Sequence, residues 1–170
     1  MTSADLLVDA FGRVRESVHA TVKGLDTAAL TYRPEEEANS IAWLIWHLTR
    51  VQDDHVSEII GTEQIWTSGG WAERFRLPLE PYDTGYGHTS EQVASVKAEA
   101  ETLLGYHDAV HAQTEDFVQS VKEPELARIV DENWDPPVTM AVRLVSVIED
   151  DLQHVGQAAY IRGIYERTHA

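Results

Sequence analysis

The 170-residue chain contains no cysteine. That absence excludes disulfides, thiolate metal sites and a cysteine nucleophile, and it suits a reducing compartment. Basic residues are scarce too: 13 Lys and Arg stand against 29 Asp and Glu, for a net charge of −16. Such a chain repels phosphate backbones and anionic lipid, so neither nucleic acid nor a membrane is an expected partner. No apolar run approaches the roughly 18 residues of a membrane span. The segment Met1-Thr2-Ser3-Ala4-Asp5 has no basic region leading into an apolar stretch. A cytoplasmic protein is the expectation.

What the chain does have is helical periodicity. Its length suits one domain over residues 1–170, able to bury about two thirds of its unfolded surface. Ser3 is placed to cap a first helix carrying Leu6, Leu7, Phe11, Val14, Val18 and Val22, which Gly24 ends. Asn39-Ser40 opens a second, with Ile41, Leu44, Ile45, Leu48, Val56 and Ile59 as its stripe and Gly61 as its stop. His47 falls on the shoulder of that stripe. Thr89 or Ser90 caps a third helix to about Lys122, which Gly105 is placed to bend. Thr139 opens the last, with Ala141, Leu144, Val145, Ile148, Leu152, Val155 and Ala159 facing the core to about Tyr165. The long connection from Thr62 to Thr89 is rich in glycine and aromatics and should pack down across the bundle. The expected fold is all-α, a four-helix bundle with long crossover connections.

Two histidine motifs compete for a metal. Asp150 and His154 are one helical turn apart and can reach one ion, with His47 as the working third ligand. The same spacing also makes an ordinary surface pair worth a few tenths of a kcal/mol. His107 and His111 share that spacing, and two imidazoles are individually the better zinc signature, but no third ligand is marked out beside them. His55, after Asp53-Asp54, reads as solvated, and His19 and His169 have no suggestive company. His88, at the end of Gly85-Tyr86-Gly87-His88, is placed to reach a pocket. Spacing alone leaves the choice between the pairs open.

A resemblance weighs between them. Asn39 to Leu48, Gly70-Trp71-Ala72-Glu73-Arg74-Phe75, Asp83-Thr84-Gly85-Tyr86-Gly87-His88 and Asp150 to Gln157 are similar to segments of the DinB-like superfamily. More narrowly, the chain resembles an actinobacterial branch related to mycothiol-dependent maleylpyruvate isomerases and bacillithiol transferases. The resemblance implies a DinB-like four-helix bundle in which His47, Asp150 and His154 bind a divalent metal. Many members carry two histidines on the fourth helix, the second followed by Gly-Gln, as His154-Val155-Gly156-Gln157 is here. Asp150 occupies the first position, a departure shared with the isomerases, and it leaves Asp151 as an alternative ligand. Zinc is the expected ion, with nickel, iron and manganese compatible with the same donors.

The implied function is a mycothiol- or other low-molecular-weight-thiol-dependent S-transferase, with a small-molecule thiol and an electrophile as partners. Two alternatives stand beside it: a metal-dependent hydrolase using metal-activated water, and a non-catalytic metal-binding stress-response protein. Asp54, Gln157 and Arg50 are candidates to orient the imidazoles, and Trp43, Trp71 and Tyr86 to wall the electrophile. An exposed Trp46 and the resemblance together make a homodimer the expected assembly.

Overall fold

In a computed structural model, which describes residues 1–169, four long helices form the bundle: α1 (Ser3–Val22), α3 (Ile41–Ile60), α7 (Ala100–Ser120) and α8 (Met140–Thr168). Short helices α2 (Thr27–Thr31), α4 (Ile65–Ser68), α5 (Trp71–Phe75) and α6 (Ser90–Ser95) lie in the connections. A 3₁₀ turn (Glu123–Ala127) and an antiparallel ribbon, β1 (Ile129–Asp131) with β2 (Val138–Thr139), join α7 to α8. Among the described residues no helix is long and apolar enough to cross a membrane.

Local chemistry sets the ends of these elements. The hydroxyls of Ser40, Thr89 and Thr139 cap α3, α6 and α8, and Gly61 closes α3 at φ +81°. The first cap is Thr2 rather than Ser3: its hydroxyl accepts from Asp5 N–H while the Asp5 carboxylate accepts from Thr2 N–H. Ser3 instead donates to Glu123.

Cross-helix contacts fix the directions. On α3 His47 meets His154 and His55 meets Arg143 of α8, so these helices run antiparallel, whereas Arg50 meets Tyr106 and Gln52 meets Thr114, so α3 and α7 run parallel. A parallel pair requires the chain to travel back along the bundle, which the stretch between Gly61 and Ala100 does.

Further features differ from the sequence expectation. The third helix is interrupted: the chain leaves α6 at Val96, which is buried in the core in an extended conformation, and re-enters helix after Glu99. Gly105 does not bend α7; a Cβ there would lie 2.8 Å from the Trp71 ring, so the glycine lets the crossover pack onto the helix. The buried stripe of α8 is Met140, Leu144, Val147, Asp151, Val155, Ala158 and Ile161, while Val145 and Leu152 are exposed.

Helix α3 is the centre of the molecule. Residues Ile41 to Arg50 are all buried, because α8, α7 and the crossover cover it on successive faces. Trp46, expected on an exposed dimer patch, is 1% exposed and stacks on His88. The same covering takes His47 from the expected open shoulder to 7% exposure.

Candidate metal centre

Along the seam of α3 and α8, ligand atoms of His47, Asp150 and His154 lie within 4.8 Å of one another. The His154 Nε2 is 3.5 Å from Asp150 Oδ1, and the His47 and His154 rings meet edge to face at 4.7 Å. Asp150 is the carboxylate that converges. Asp151 turns into the core, fully buried with neither oxygen partnered, and burial together with the charge of Asp150 pushes its carboxyl well above the usual range.

The backbone and a side-chain amide fix the tautomers. His47 Nδ1–H donates to the Thr84 carbonyl, and His154 Nδ1–H donates to Gln157 Oε1 at 3.0 Å. Each ring therefore keeps an Nε2 lone pair for a ligand. The Asp150 Oδ2 is buried with no hydrogen-bond partner. A buried carboxylate oxygen of this kind is costly unless something binds it. Two imidazoles and a carboxylate with one orphaned oxygen fit a divalent cation, with room for a further ligand.

Charges within the cluster divide its protons. Burial, the largest influence, holds His47 below the ordinary imidazole value, although Thr84 opposes it. The hydrogen bond to Asp150 outweighs burial and raises His154. For Asp150 burial pushes upward, but the bond and charge of His154, joined by His47, bring it below the usual carboxylate value. The metal-free centre thus tends to keep a proton between Asp150 and His154, which a cation must displace.

The loop from Asp83 to His88 locks this geometry. Asp83 Oδ1 accepts from Gly85 N–H at 2.8 Å, its Oδ2 accepts from His88 Nε2–H at 2.9 Å, and its carbonyl accepts from Arg50 Nε at 3.1 Å. Gly85, at φ +97°, lies so close to the site that a Cβ would fall 2.9 Å from His47 Nδ1. His88 accepts from Trp43 Nε1–H at 3.0 Å, so both its ring nitrogens are engaged and it steers Trp43 rather than a ligand. Trp43 stacks on His47 at 4.6 Å and presents its edge to His154.

Arg50 in turn is held by Gln64 and Tyr106, and Tyr106 donates to Asp53, which also accepts from the backbone N–H groups of Ile65 and Trp66. This buried network ties the crossover to α3.

Of the residues expected to orient the imidazoles, Gln157 does so directly. Arg50 acts through the Asp83 carbonyl, and Asp54 binds Gln64 instead. Trp71 packs on Tyr106 inside the bundle, away from the triad, while Tyr86 stands 94% exposed at the rim. His55 is half-buried rather than solvated, and it lines the same cleft as His47 and Asp150. Thr84 and Gly85 act through a carbonyl and a missing Cβ, which residue identity does not announce; the Gly85-Tyr86-Gly87 run is the one signal.

The rival pair does not assemble. His107 and His111 rings lie 6.4 Å apart and parallel, and among the described residues no other three His or carboxylate side chains converge as the triad does. His19 pairs with Asp108 at 2.8 Å, and His169 stacks on Tyr165.

Comparisons with known proteins bear on the family and the fold. A family model described as mycothiol-S-transferase matches residues 6–167. Among solved structures, the crystal structure of a conserved protein of locus from Enterococcus faecalis is similar with a TM-score of 0.89 and 35% identity, covering 95% of this chain and 96% of that one. No curated protein matches.

Proposed function

The chain belongs to the mycothiol-S-transferase family, and from that membership we propose that it joins a low-molecular-weight thiol, mycothiol or a relative, to an electrophile at a divalent-metal centre of His47, Asp150 and His154. The observation that carries the reading is the convergence of those three side chains with both Nδ1–H groups tied back and the Asp150 Oδ2 left free. Zinc suits the donor set, and when bound it lowers the pKa of a thiol and so supplies a thiolate nucleophile at neutral pH.

The chain's own residues do the rest. Thr84 and Gln157 hold the two imidazoles in the ligating tautomer. Trp43 covers one face of His47 and keeps water from that side. Because the chain has no cysteine, the reacting sulfur must come from the cosubstrate.

The test uses purified protein supplemented with zinc, mycothiol and a panel of electrophiles, with conjugates identified by mass spectrometry. Thiol-dependent conjugation that disappears together with bound zinc in His154→Ala and Asp150→Ala supports the proposal. Water-dependent ester or amide cleavage without thiol would instead make the protein a hydrolase. Failure to retain a stoichiometric divalent ion after supplementation would overturn both.

A further inference from the structure

Two clefts open along the α3–α8 seam, one lined by His47 and Asp150 of the triad and the other lying toward the N-terminal end of α3. Toward the C-terminal end of α3, a cleft of about 260 Å³ is lined by polar groups including Asp54, His55, Thr84 and Asp150. Toward its N-terminal end, a second of about 390 Å³ is walled by Ala38, Leu44, Tyr160, Ile161 and Ile164, with Gln157 at its inner edge. Leu44 is one turn before His47 on α3, and Gln157 is one turn after His154 on α8, where it holds that imidazole. Gln157, which lines the apolar cleft and holds the His154 imidazole, is the link between that cleft and the triad.

The two clefts share a charge pattern. Among the described residues neither is lined by lysine or arginine. Glu35 and Glu37 line the apolar one. The guanidinium of Arg33, adjacent in sequence to Pro34 of the lining, is spent on the carbonyls of Glu36 and Ala38 and on Ser90. A carboxylate entering here would lose hydration, meet two like charges and find no free cation.

We infer that the apolar cleft between Ala38 and Ile164 is the electrophile subsite, and that it takes uncharged or cationic apolar electrophiles and rejects anionic ones. The polar cleft is left to the thiol. The chemistry rests on the transferase reading: with an activated aryl chloride, the thiol sulfur forms a bond to the ring carbon. The carbon–chlorine bond breaks, chloride leaves with the electron pair, and the thiol proton passes to buffer.

The probes are the para-carboxamide and para-carboxylate forms of chlorodinitrobenzene, together with the same two rings lacking chlorine, whose binding is read by tryptophan fluorescence and calorimetry on the zinc-supplemented protein. The unreactive carboxamide is expected to bind about tenfold more tightly than the carboxylate, the size of effect that a near like charge produces. Glu37→Lys is expected to close most of that gap. Tyr160→Ser, an exposed position, is expected to weaken carboxamide binding about threefold or more, as loss of part of an apolar wall does, with zinc affinity unchanged.

Equal or tighter carboxylate binding, no binding by either ring, or indifference to both substitutions would overturn the inference. If the carboxamide binds as described but its chlorinated form is never conjugated, the subsite stands and the transferase reading falls.

Discussion

Acid should weaken this protein through one residue that takes no part in the centre. His107 lies wholly inside the bundle with neither ring nitrogen partnered. Burial, reinforced by His111, lowers its pKa from 6.5 to about 3. The folded protein keeps the ring neutral, whereas the unfolded chain binds a proton below pH 6.5. The stability it contributes is therefore complete above the unfolded value and is lost as pH falls from there toward about 3. Between pH 7 and pH 5 the loss is about 2 kcal/mol, and the full span approaches about 5 kcal/mol.

The assay is urea unfolding of the metal-free protein at pH 7, 6 and 5, alongside His107→Leu, which keeps a similar volume and cannot titrate. The leucine variant should lose about 2 kcal/mol less than the parent over this range. It should also be more stable at pH 7 by about 1 kcal/mol or more, since two unpartnered polar atoms have gone from the interior. His47 and His55 titrate in both proteins, so their effect cancels in the difference. Parallel stability curves for the two proteins would refute the reasoning.

Other expectations concern the centre and its supports. Gly85→Ala places a methyl group 2.9 Å from His47 Nδ1, and zinc affinity measured by chelator competition should fall about 10- to 100-fold, the usual range for disturbed outer contacts. Gln157→Leu frees the His154 ring and should cost a similar factor, leaving the urea midpoint nearly unchanged because the residue is exposed. In the metal-free protein, Asp150→Asn should lower the His154 pKa followed by NMR, since Asp150 is what raises it; an unmoved titration would break the assigned pairing. Tyr106→Phe removes a hydroxyl that donates to Asp53 and accepts from Arg50, and should cost about 1–3 kcal/mol in urea unfolding.

Helices α3 and α8 could be read from the chain because their N-caps, Ser40 and Thr139, are short polar side chains at fixed positions, whereas α7 starts at Glu99 with no side-chain cap. Ser40, Thr89, Thr139 and Gly61 all act where the pattern puts them. The phase of α8 was harder to read. Its exposed face carries Val145 and Leu152 while its buried face carries Asp151, so a reading that follows hydrophobicity rotates the helix. The break at Val96 escaped for a similar reason: burial of one valine outweighs the local preference for continuing the helix.

The grouping of His47 with Asp150 and His154 came from the family resemblance, because spacing alone left the Asp150 and His154 pair level with His107 and His111. The supports of the triad were not legible, because Thr84 contributes a backbone carbonyl and Gly85 contributes empty space. The ribbon of two short strands carries too few residues for an alternating pattern to show.

The burial of α3 on every side from Ile41 to Arg50 also decides where this molecule can be altered. A replacement at any of those ten positions disturbs packing before it reaches chemistry. Positions such as Glu37, Tyr86 and Tyr160 border the clefts from exposed sites and contribute little to the interior. Variation aimed at new substrates is best confined to that rim, where residues can be exchanged while the helix holding His47 stays untouched.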